Sequence, residues 1–449
     1  MRSLNNNIVS LRQSVLVAVL AVLLSCFGWQ SALAGSAFTM RLSRTGSQRV
    51  AIAIPPLAFS GEPTLRHLSQ ATVDIIKNDL TESTYFSPLD DEDIMRQLAG
   101  IDREKGYIDF PEWSSIGAEI LLKGKVSADR NSFSVECELY DLYDMNRKIV
   151  IRETGPLNNY RQVVHRISDK IIWEIFGEKG ISTTKITFIS RDKLGYKQIY
   201  ISDYDGQNLR QITRNRAINL FPNWSPDAKK ISYTSFKMGN PDLYLLDLET
   251  GKDRAISAES GINSNASWSP DGKSMVLSMS ISGNPEIYRL DLENGERRKL
   301  TQSRGIDTSP EWSPDGRRVA FTSSRSGTPQ IYVMDIQGWN IKRVTYDGSY
   351  NDQASWSPDG TKISYSSMNN GHFDIYMINL STNETRQLTK SSGNDESPSW
   401  SPDGRRIAFS SDRNGSYQLF VMEADGGNQH KIMSLDGGGY DPAWSPHLN

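Results

Sequence analysis

The sequence is poor in the residues that carry most catalytic and metal chemistry. Its 449 residues include 2 cysteines and 5 histidines. The histidines are spread along the chain without the spacing of a zinc site: His67, His165, His372, His430 and His447. No Gly-x-Ser-x-Gly nucleophile elbow is present. These absences disfavour a metalloenzyme or a serine hydrolase, so we expect a protein that is not an enzyme and has no cofactor.

An excess of charge of one sign is also absent. Lys plus Arg number 50 and Asp plus Glu 53, which gives a net charge of -3. A nearly balanced chain has no global attraction to nucleic acid or to an anionic bilayer. We therefore expect protein partners, no nucleic acid, membrane association only through those partners, and a monomer. The length predicts two or three domains.

A long apolar run occurs once, at the N-terminus, where it has the form of a secretory signal. Arg2 and Arg12 supply positive charge, Val15–Leu24 is apolar, and a small-x-small cleavage site ends at Ala34 before Gly35. The run is shorter than the roughly 20 residues of a spanning helix. We expect this leader to be removed, which changes the net charge from -3 to -5, and the mature protein to be exported and soluble.

The two cysteines allow one alternative. The segment Leu23–Cys26 loosely resembles a lipoprotein signal, in which Cys26 would be acylated and retained, although Leu24 stands where such signals carry a smaller residue. If Cys26 is removed, Cys137 is a lone thiol that forms no internal disulfide. The residues that alternate with it on one strand face are apolar: Phe133, Val135 and Leu139. This pattern predicts a buried core thiol.

A repeat of 44 residues fills the C-terminal part of the chain. Its clearest marker is Trp-Ser-Pro, with the Trp at constant spacing: Trp224, Trp268, Trp312, Trp356, Trp400 and Trp444. A repeat of this length with four short strand-like segments is the size of one β-propeller blade. Around Trp312 the predicted strands are Pro310–Ser313, Arg318–Ser323, Gln330–Asp335 and Lys342–Thr345.

The order of the markers predicts how the ring closes. An aliphatic-aromatic pair precedes the first Trp, whereas Trp444 comes last, so only the end of the chain can complete the first blade. We expect Ala443–Ser445 to pair with Lys185–Ser190 and close six blades. The Ser-Pro-Asp-Gly after each Trp predicts a tight turn rather than a catalytic acid, because an active site occurs once per ring. Two copies deviate, with Ala228 in place of Gly and His447 in place of Asp.

Ahead of the repeats the pattern is mixed α/β. Helices are predicted at Thr64–Glu82 and Asn159–Phe176. The predicted strands are Val50–Ile54, Ile120–Val126, Phe133–Asp141 and Lys148–Thr154. The predicted fold is thus two-domain, with an N-terminal α/β domain followed by a six-bladed all-β propeller. The expected divisions are a signal peptide at 1–34, the α/β domain with an N-terminal arm at 35–180, and the propeller at 184–449.

The arm, Gly35–Gln48, carries apolar residues in alternation with polar ones: Phe38, Met40 and Leu42. One interpretation is an edge strand of the domain's own sheet. The other is a displaceable arm that pairs with a partner by strand addition.

Taken together, these features resemble the TolB family of the Tol-Pal envelope system across the whole mature length. The residues that carry the resemblance are the Trp-Ser-Pro-Asp-Gly repeats, the turn Ser202–Gly206 and the chain end Pro442–Pro446. The resemblance implies a periplasmic adaptor that binds the lipoprotein Pal at the propeller mouth and TolA through the arm. It also implies contacts with outer-membrane proteins and roles in outer-membrane integrity, cell division and protein transport.

The resemblance also implies where the partners bind. Pal would contact the positions just before each Trp: Asn263, Ser264, Asn265, Asp307, Thr308, Ser309, Asn351, Asp352, Gln353, Asp395, Glu396 and Ser397. TolA would contact the arm at Phe38, Met40 and Leu42, although Arg41 and Arg44 depart from the family's pattern. The same positions are expected from the repeat itself to be loop residues that converge on the central opening.

Two other functions stay open. Because a ring brings distant residues together, Asp307, Asp352 and Asp395 could hold Ca²⁺ in the channel, or serve a lyase that needs one base and one metal ion. A propeller of the envelope could also bind a small ligand in its funnel without any protein partner.

Overall fold

The structure is a computed structural model, and it describes residues 49–369 and 371–448. The predicted signal peptide with its cleavage site at Ala34 and Gly35, the cysteine at position 26, and the arm residues Phe38, Met40 and Leu42 lie outside the described residues. Within the described ranges, no helix has both the length and the apolar character needed to cross a membrane.

The N-terminal domain is built on one mixed sheet. Its strands are β1 (Val50–Ala53), β2 (Ala58–Gly61), β3 (Phe86–Pro88), β4 (Ile120–Ala128), β5 (Ser132–Asp141) and β6 (Asn146–Pro156). Its helices are α1 (His67–Glu82), α2 (Glu92–Lys105), α3 (Phe110–Ser115) and α4 (Tyr160–Phe176), with short 3-10 turns at Pro63–Leu65 and Leu157–Asn159. The strand order is β3-β1-β4-β5-β6, with β2 pairing β4; β1 is parallel to both neighbours, and β4 to β6 form an antiparallel meander.

Alternation along the strands gives this sheet two apolar faces. Ile52, Ile120 and Leu122 pack with α1 and α4 on one face. Ala53 and Leu121 pack with α2 and α3 on the other. The domain is therefore a three-layer α/β/α sandwich.

Cys137 lies on the first of these faces and is fully buried, as predicted. Burial raises the pKa of its thiol to about 12, so the group is an inert part of the core.

The propeller consists of six four-stranded sheets. Five sheets are each built from four consecutive strands, and we number them one to five in chain order. From the innermost strand outwards they are β10 (Asn219–Trp224), β11 (Lys230–Ser235), β12 (Asp242–Asp247), β13 (Asp253–Ser257); β14 (Asn263–Trp268), β15 (Ser274–Met279), β16 (Glu286–Asp291), β17 (Arg297–Lys299); β18 (Asp307–Trp312), β19 (Arg318–Ser323), β20 (Gln330–Asp335), β21 (Lys342–Arg343); β22 (Tyr350–Trp356), β23 (Lys362–Asn369), β24 (His372–Asn379), β25 (Thr385–Gln387); and β26 (Asp395–Trp400), β27 (Arg406–Ser411), β28 (Gln418–Glu423), β29 (His430–Lys431).

The sixth sheet closes the ring as predicted. Its innermost strand is the end of the chain, β30 (Tyr440–Trp444), followed by β7 (Lys185–Arg191), β8 (Lys197–Asp203) and β9 (Arg210–Gln211). Ala443 pairs with Thr187, and Trp444 with Ile186. The indole of Trp444 also donates to Thr184 Oγ1 at 2.9 Å. The two ends of the propeller segment are thus joined by backbone and side-chain hydrogen bonds.

The Ser-Pro-Asp-Gly segments form tight turns, as predicted. In the third sheet Ser313 Oγ donates to Asp315 Oδ1 at 2.5 Å, and the same carboxylate accepts from the Arg317 amide at 3.0 Å. The turn glycine Gly316 has φ 71°. Ala228 takes the same left-handed conformation, with φ 56°, where an alanine costs roughly 1 kcal/mol.

The predicted start of the innermost strands was wrong by three residues. In the third sheet this strand begins at Asp307 rather than Pro310, so the candidate site residues are strand residues and not loop residues. The reason is a β-bulge between Thr308 and Glu311, which interrupts the alternation that sequence reasoning depends on.

The N-terminal domain packs against one face of the propeller, formed by the inner Ser-Pro-Asp-Gly turns and the outer turns. Arg406, which is 2% exposed, donates through Nε to the Glu82 carbonyl at the end of α1 at 2.8 Å and forms an ion pair of 3.1 Å with the Glu82 carboxylate. The Arg405 guanidinium lies 3.7 Å from the ring centroid of Tyr85. Within the described residues the opposite face, which we call the mouth face, is left uncovered by this domain.

Candidate functional site: the mouth and channel of the propeller

We number the positions of the innermost strand from the residue five before the Trp. In five of the six blades the first position is a buried polar clamp rather than a binding residue, and in the sixth it is Gly439. Its members are fully buried: Asn219, Asn263, Asp307, Asn351 and Asp395. Asn263 accepts from Ser257 Oγ at 2.8 Å and donates to the Glu259 carbonyl at 2.6 Å. Such bonds tie the loop that enters the blade to the blade itself. Four of the twelve predicted site residues therefore hold the mouth loops in place, and their side chains do not face the opening.

Where the clamp is an aspartate, an arginine neutralises it. Asp307 pairs with Arg325 at 2.7 Å, and Asp395 pairs with Arg413 at 2.8 Å. Each pair lies within one blade. Among the described residues, Asp307, Asp352 and Asp395 do not form a close group of potential ligands, and Ca²⁺ binding in the channel stays a prediction. Asp352 instead accepts from Thr322 Oγ1 at 2.6 Å.

The second position is half-buried in the blades of the predicted set. The predicted members are Ser264, Thr308, Asp352 and Glu396. The Glu396 carboxylate accepts a hydrogen bond from Tyr417. Burial, together with repulsion from Asp441, Asp412 and Asp352, raises the pKa of Glu396. This side of the rim is therefore negatively charged and crowded.

The third position is the bulge, and in all six sheets it has a left-handed backbone. The residues and their φ angles are Phe221 52°, Asn265 51°, Ser309 49°, Gln353 56°, Ser397 57° and Asp441 47°. Positive φ in non-glycine residues is strained and persists only where the surrounding structure holds it. Here the bulge directs every one of these residues into the central channel.

The bulge residues touch one another around the channel. Asn265 Nδ2 donates to Ser309 Oγ at 3.2 Å, the Ser397 amide donates to Gln353 Oε1 at 3.0 Å, and Ser397 Oγ donates to Asp441 Oδ1 at 2.8 Å. They narrow the channel to a cavity of about 130 Å³. The structure thus brings together Asn265, Ser309, Gln353 and Ser397 of the predicted set.

Two acids that the sequence analysis did not single out also line the channel, Glu311 and Asp441. Glu311 Oε2 is buried without a hydrogen-bond partner, and Oε1 lies 3.5 Å from Ser355 Oγ. Burial raises the pKa of Glu311 to about 8 and also raises the pKa of Asp441. Both carboxyls therefore keep their protons more readily than carboxyls in water.

Apolar side chains surround the opening, and the sequence analysis missed them. They are exposed on the mouth face, in loops or, for Tyr350, at the start of β22: Leu194, Ile218, Phe236, Met238, Ile281, Ile306, Tyr346 and Tyr350. Two kinds of loop form this face: the loops that connect one blade to the next, and the loops between the second and third strands of a blade. Both kinds lie on the same face because successive strands are antiparallel. The sequence did contain a signal for them, because some of these apolar residues occupy loop positions that are equivalent in the 44-residue repeat.

The fold and this site define a class of protein: an α/β domain joined to a six-bladed propeller whose free face has a narrow polar channel inside an apolar rim. Family models agree with both parts. The TolB beta propeller domain matches residues 173–448, and the TolB amino-terminal domain matches residues 38–147. The chain belongs to the TolB family.

Individual relatives point the same way. A crystal structure of TolB from Acinetobacter baumannii is 31% identical, with a TM-score of 0.78 over 89% of this chain and 97% of that one. The Tol-Pal system protein TolB of Nitrosococcus oceani is 35% identical over 198 residues, which are 43% of this chain and 44% of the relative. That of Geobacter metallireducens is 42% identical over 126 residues, 28% of this chain and 29% of the relative. The matched segments thus span less than half the length of these curated relatives.

Proposed function

We propose that this protein is a periplasmic adaptor of the Tol-Pal system that binds the lipoprotein Pal with the mouth face of its propeller. The observation that carries the proposal is the ring of exposed apolar side chains on that face, including Met238, Ile306 and Tyr346. Several exposed apolar side chains on one face, surrounded by polar residues, are typical of a site of protein interaction. The face lies opposite the N-terminal domain, so a partner can approach it without displacing the described residues.

In this proposal the twelve predicted positions divide by role. The half-exposed rim residues contact Pal directly: Ser264, Thr308, Asp352 and Glu396. The bulge residues shape the floor of the site: Asn265, Ser309, Gln353 and Ser397. The buried clamps hold the loops and act only through them: Asn263, Asp307, Asn351 and Asp395.

We further propose that the arm binds TolA through Phe38, Met40 and Leu42 by strand addition. Alternation of apolar and polar residues suits that mode, in which backbone hydrogen bonds supply affinity and alternate side chains supply specificity. Arg41 and Arg44 add positive charge that a TolA surface has to accommodate. Through both contacts, and others with outer-membrane proteins, a monomeric adaptor would support outer-membrane integrity and cell division without catalysis and without nucleic acid.

The channel supports a small-ligand or lyase function less well. Its volume of about 130 Å³ is below the roughly 300–1,000 Å³ of ordinary small-molecule sites. The floor is also filled by side chains that already bond to one another, such as Ser397 and Asp441. A partner that docks on the rim fits this geometry better than a substrate that enters the channel.

A pull-down from detergent-solubilised envelope tests the proposal, with the mature chain as bait and mass spectrometry as readout. The parent is compared with a mouth variant carrying Ile306→Asp and Tyr346→Asp. The control is Trp339→Asp, a similarly exposed aromatic on an outer turn of the opposite face. We expect Pal with the parent and the control, and at least a tenfold loss with the mouth variant, because each new carboxylate would be desolvated in the interface.

A second bait that lacks residues 35–48 separates the two partners. We expect it to retain Pal and lose TolA. Capture of no envelope protein by the parent would refute the adaptor function, and equal capture of Pal by the mouth variant would refute the assigned face.

A further inference from the structure

The junction between the two domains buries a histidine with one unused ring nitrogen. His165 on α4 is fully buried, and its Nδ1 lies 2.9 Å from Asp79 Oδ2 on α1. Tyr204, from the propeller, donates to Asp79 Oδ1 at 2.7 Å and so fixes that carboxylate. His165 Nε2 is buried and has no hydrogen-bond partner. A carboxylate at Nδ1 favours the tautomer in which Nε2 presents its lone pair.

Two carboxylates of the propeller lie close to the ring of His165. His165, Asp203 and Asp205 each offer one ligand atom, and these atoms all lie within 4.8 Å of one another. Among the residues that the structure describes, this is the only group of three or more such side chains. The set consists of one imidazole, whose other nitrogen is hydrogen-bonded to a carboxylate, and two carboxylate oxygens. These are ligands that suit Zn²⁺.

When His165 is neutral, the junction holds one more carboxylate than it holds basic side chains to pair with them. Three carboxylates meet there: Asp79, Asp203 and Asp205. Lys185 forms an ion pair with Asp203, and Arg161 forms one with Asp205, which leaves one negative charge when His165 is neutral. A buried, uncompensated charge is costly, so the group favours a cation at Nε2.

We propose that His165, Asp203 and Asp205 form a divalent-cation site, of the zinc class, that bridges the N-terminal domain and the propeller. Bonds of about 2.0–2.1 Å place tetrahedral ligand atoms roughly 3.4 Å apart, so binding draws the turn residue Asp205 inwards by on the order of 1 Å. Lys185 and Arg161 move outwards, where their side chains are already 30% and 22% exposed. Water completes the fourth position. The ion would thus link α4 to the Ser202–Gly206 turn through shared coordination.

Zinc binding to the mature full-length chain tests this site. The protein is treated with chelator, dialysed, and titrated with Zn²⁺ by calorimetry, with Co²⁺ absorption as a second readout. We expect one ion per chain with a dissociation constant in the micromolar range or below, and the visible Co²⁺ bands of a four-coordinate site. We expect D205N and H165Q to weaken binding at least tenfold. H372Q is the matched control, because His372 Nε2 also lies beside a carboxylate, 3.4 Å from Asp374.

The deciding variant is D205N, since Asp205 belongs to a turn and its replacement leaves the core packing intact, whereas H165Q alters a buried side chain. Unchanged Zn²⁺ affinity in D205N would overturn the proposal, as would the absence of stoichiometric Zn²⁺ binding by the parent. In the latter case the spare charge is met by a proton on Nε2, and the junction is held without metal.

Discussion

Replacing Glu311 by glutamine should make the propeller more stable at alkaline pH while changing little at acidic pH. Glu311 lines the channel with one carboxyl oxygen buried and without a partner, and burial raises its pKa to about 8 from an ordinary 4.5. Glutamine keeps the shape and a neutral polar group. The substitution therefore removes the cost of ionisation and little else.

The sign and size of the effect on the free energy of unfolding follow from proton linkage. The unfolded chain loses the Glu311 proton near pH 4.5, whereas the folded channel holds it until about pH 8. Between these values the folded state binds more protons, so the free energy of unfolding falls as pH rises. At about 1.4 kcal/mol per pH unit the full range corresponds to at most about 5 kcal/mol. Relaxation of the channel around the ionised carboxylate reduces this value, and we expect about 1–3 kcal/mol.

The assay is urea unfolding followed by tryptophan fluorescence, at intervals from pH 4.5 to 9. We expect Glu311→Gln and the parent to coincide near pH 4.5 and to separate progressively up to pH 8. Glu249→Gln, at an exposed turn residue, is the matched control and should follow the parent throughout. Parallel curves for Glu311→Gln and the parent would refute the assignment of a buried, proton-retaining carboxyl in the channel.

Three further predictions concern how the propeller is held together. Ala228→Gly should raise the free energy of unfolding by about 0.5–1 kcal/mol, because φ 56° is unstrained in glycine; no gain in urea midpoint would contradict this. Arg406→Met should cost about 3 kcal/mol and separate the melting of the two domains in calorimetry, since it removes the buried partner of the Glu82 carbonyl and carboxylate and leaves that carboxylate only His430, 3.4 Å away; a single unshifted transition would be inconsistent with this role. Deleting residues 440–449 should abolish cooperative melting of the propeller, because it removes the strand paired with Lys185–Arg191; a truncated chain that melts cooperatively near the full-length temperature would refute the closure.

The sequence was sufficient to predict the propeller, its closure and its turns because each depends on short-range chemistry that repeats. A Trp at every 44th residue fixes the number of blades, and the turn residues fix the hairpins. The two middle strands predicted for the third sheet, Arg318–Ser323 and Gln330–Asp335, have the bounds that the structure shows. In the N-terminal domain the elements β2, β3, α2 and α3 were not predicted. Three of them are too short or too irregular to show a clear period, and α2 was not recognised although Asp91 caps its first turn.

The buried role of the clamp residues could not be read from one blade alone. Asp307 and Asp395 were interpreted as exposed acids because a carboxylate is seldom fully buried unless it is paired. Their partners, Arg325 and Arg413, both stand 18 residues later. In the three sheets where the clamp is asparagine, that place is taken by Lys237, Ile281 and Asn369. The pairing of Asp with Arg can therefore be recognised in the sequence only when the blades are compared with one another.

The candidate site also depends on strained backbone that sequence does not reveal. A left-handed conformation at Phe221 or Gln353 runs against the preference of those residues, so only the ring around them determines it. The apolar rim has a similar origin, because it is assembled from loops of different blades. Residues such as Met238 and Tyr346 are 108 positions apart in the chain and share a face only through the topology.

A hydrogen-exchange footprint of Pal on the full mature protein tests directly whether the mouth face is the binding surface. Exchange is measured with and without purified Pal at saturating concentration. We predict protection of the mouth loops at 213–218, 301–306 and 345–350, and no direct protection of the Ser-Pro-Asp-Gly turns on the opposite face. Protection confined to the N-terminal domain or to those turns, or no protection anywhere, would contradict the claim that the mouth face is the binding surface.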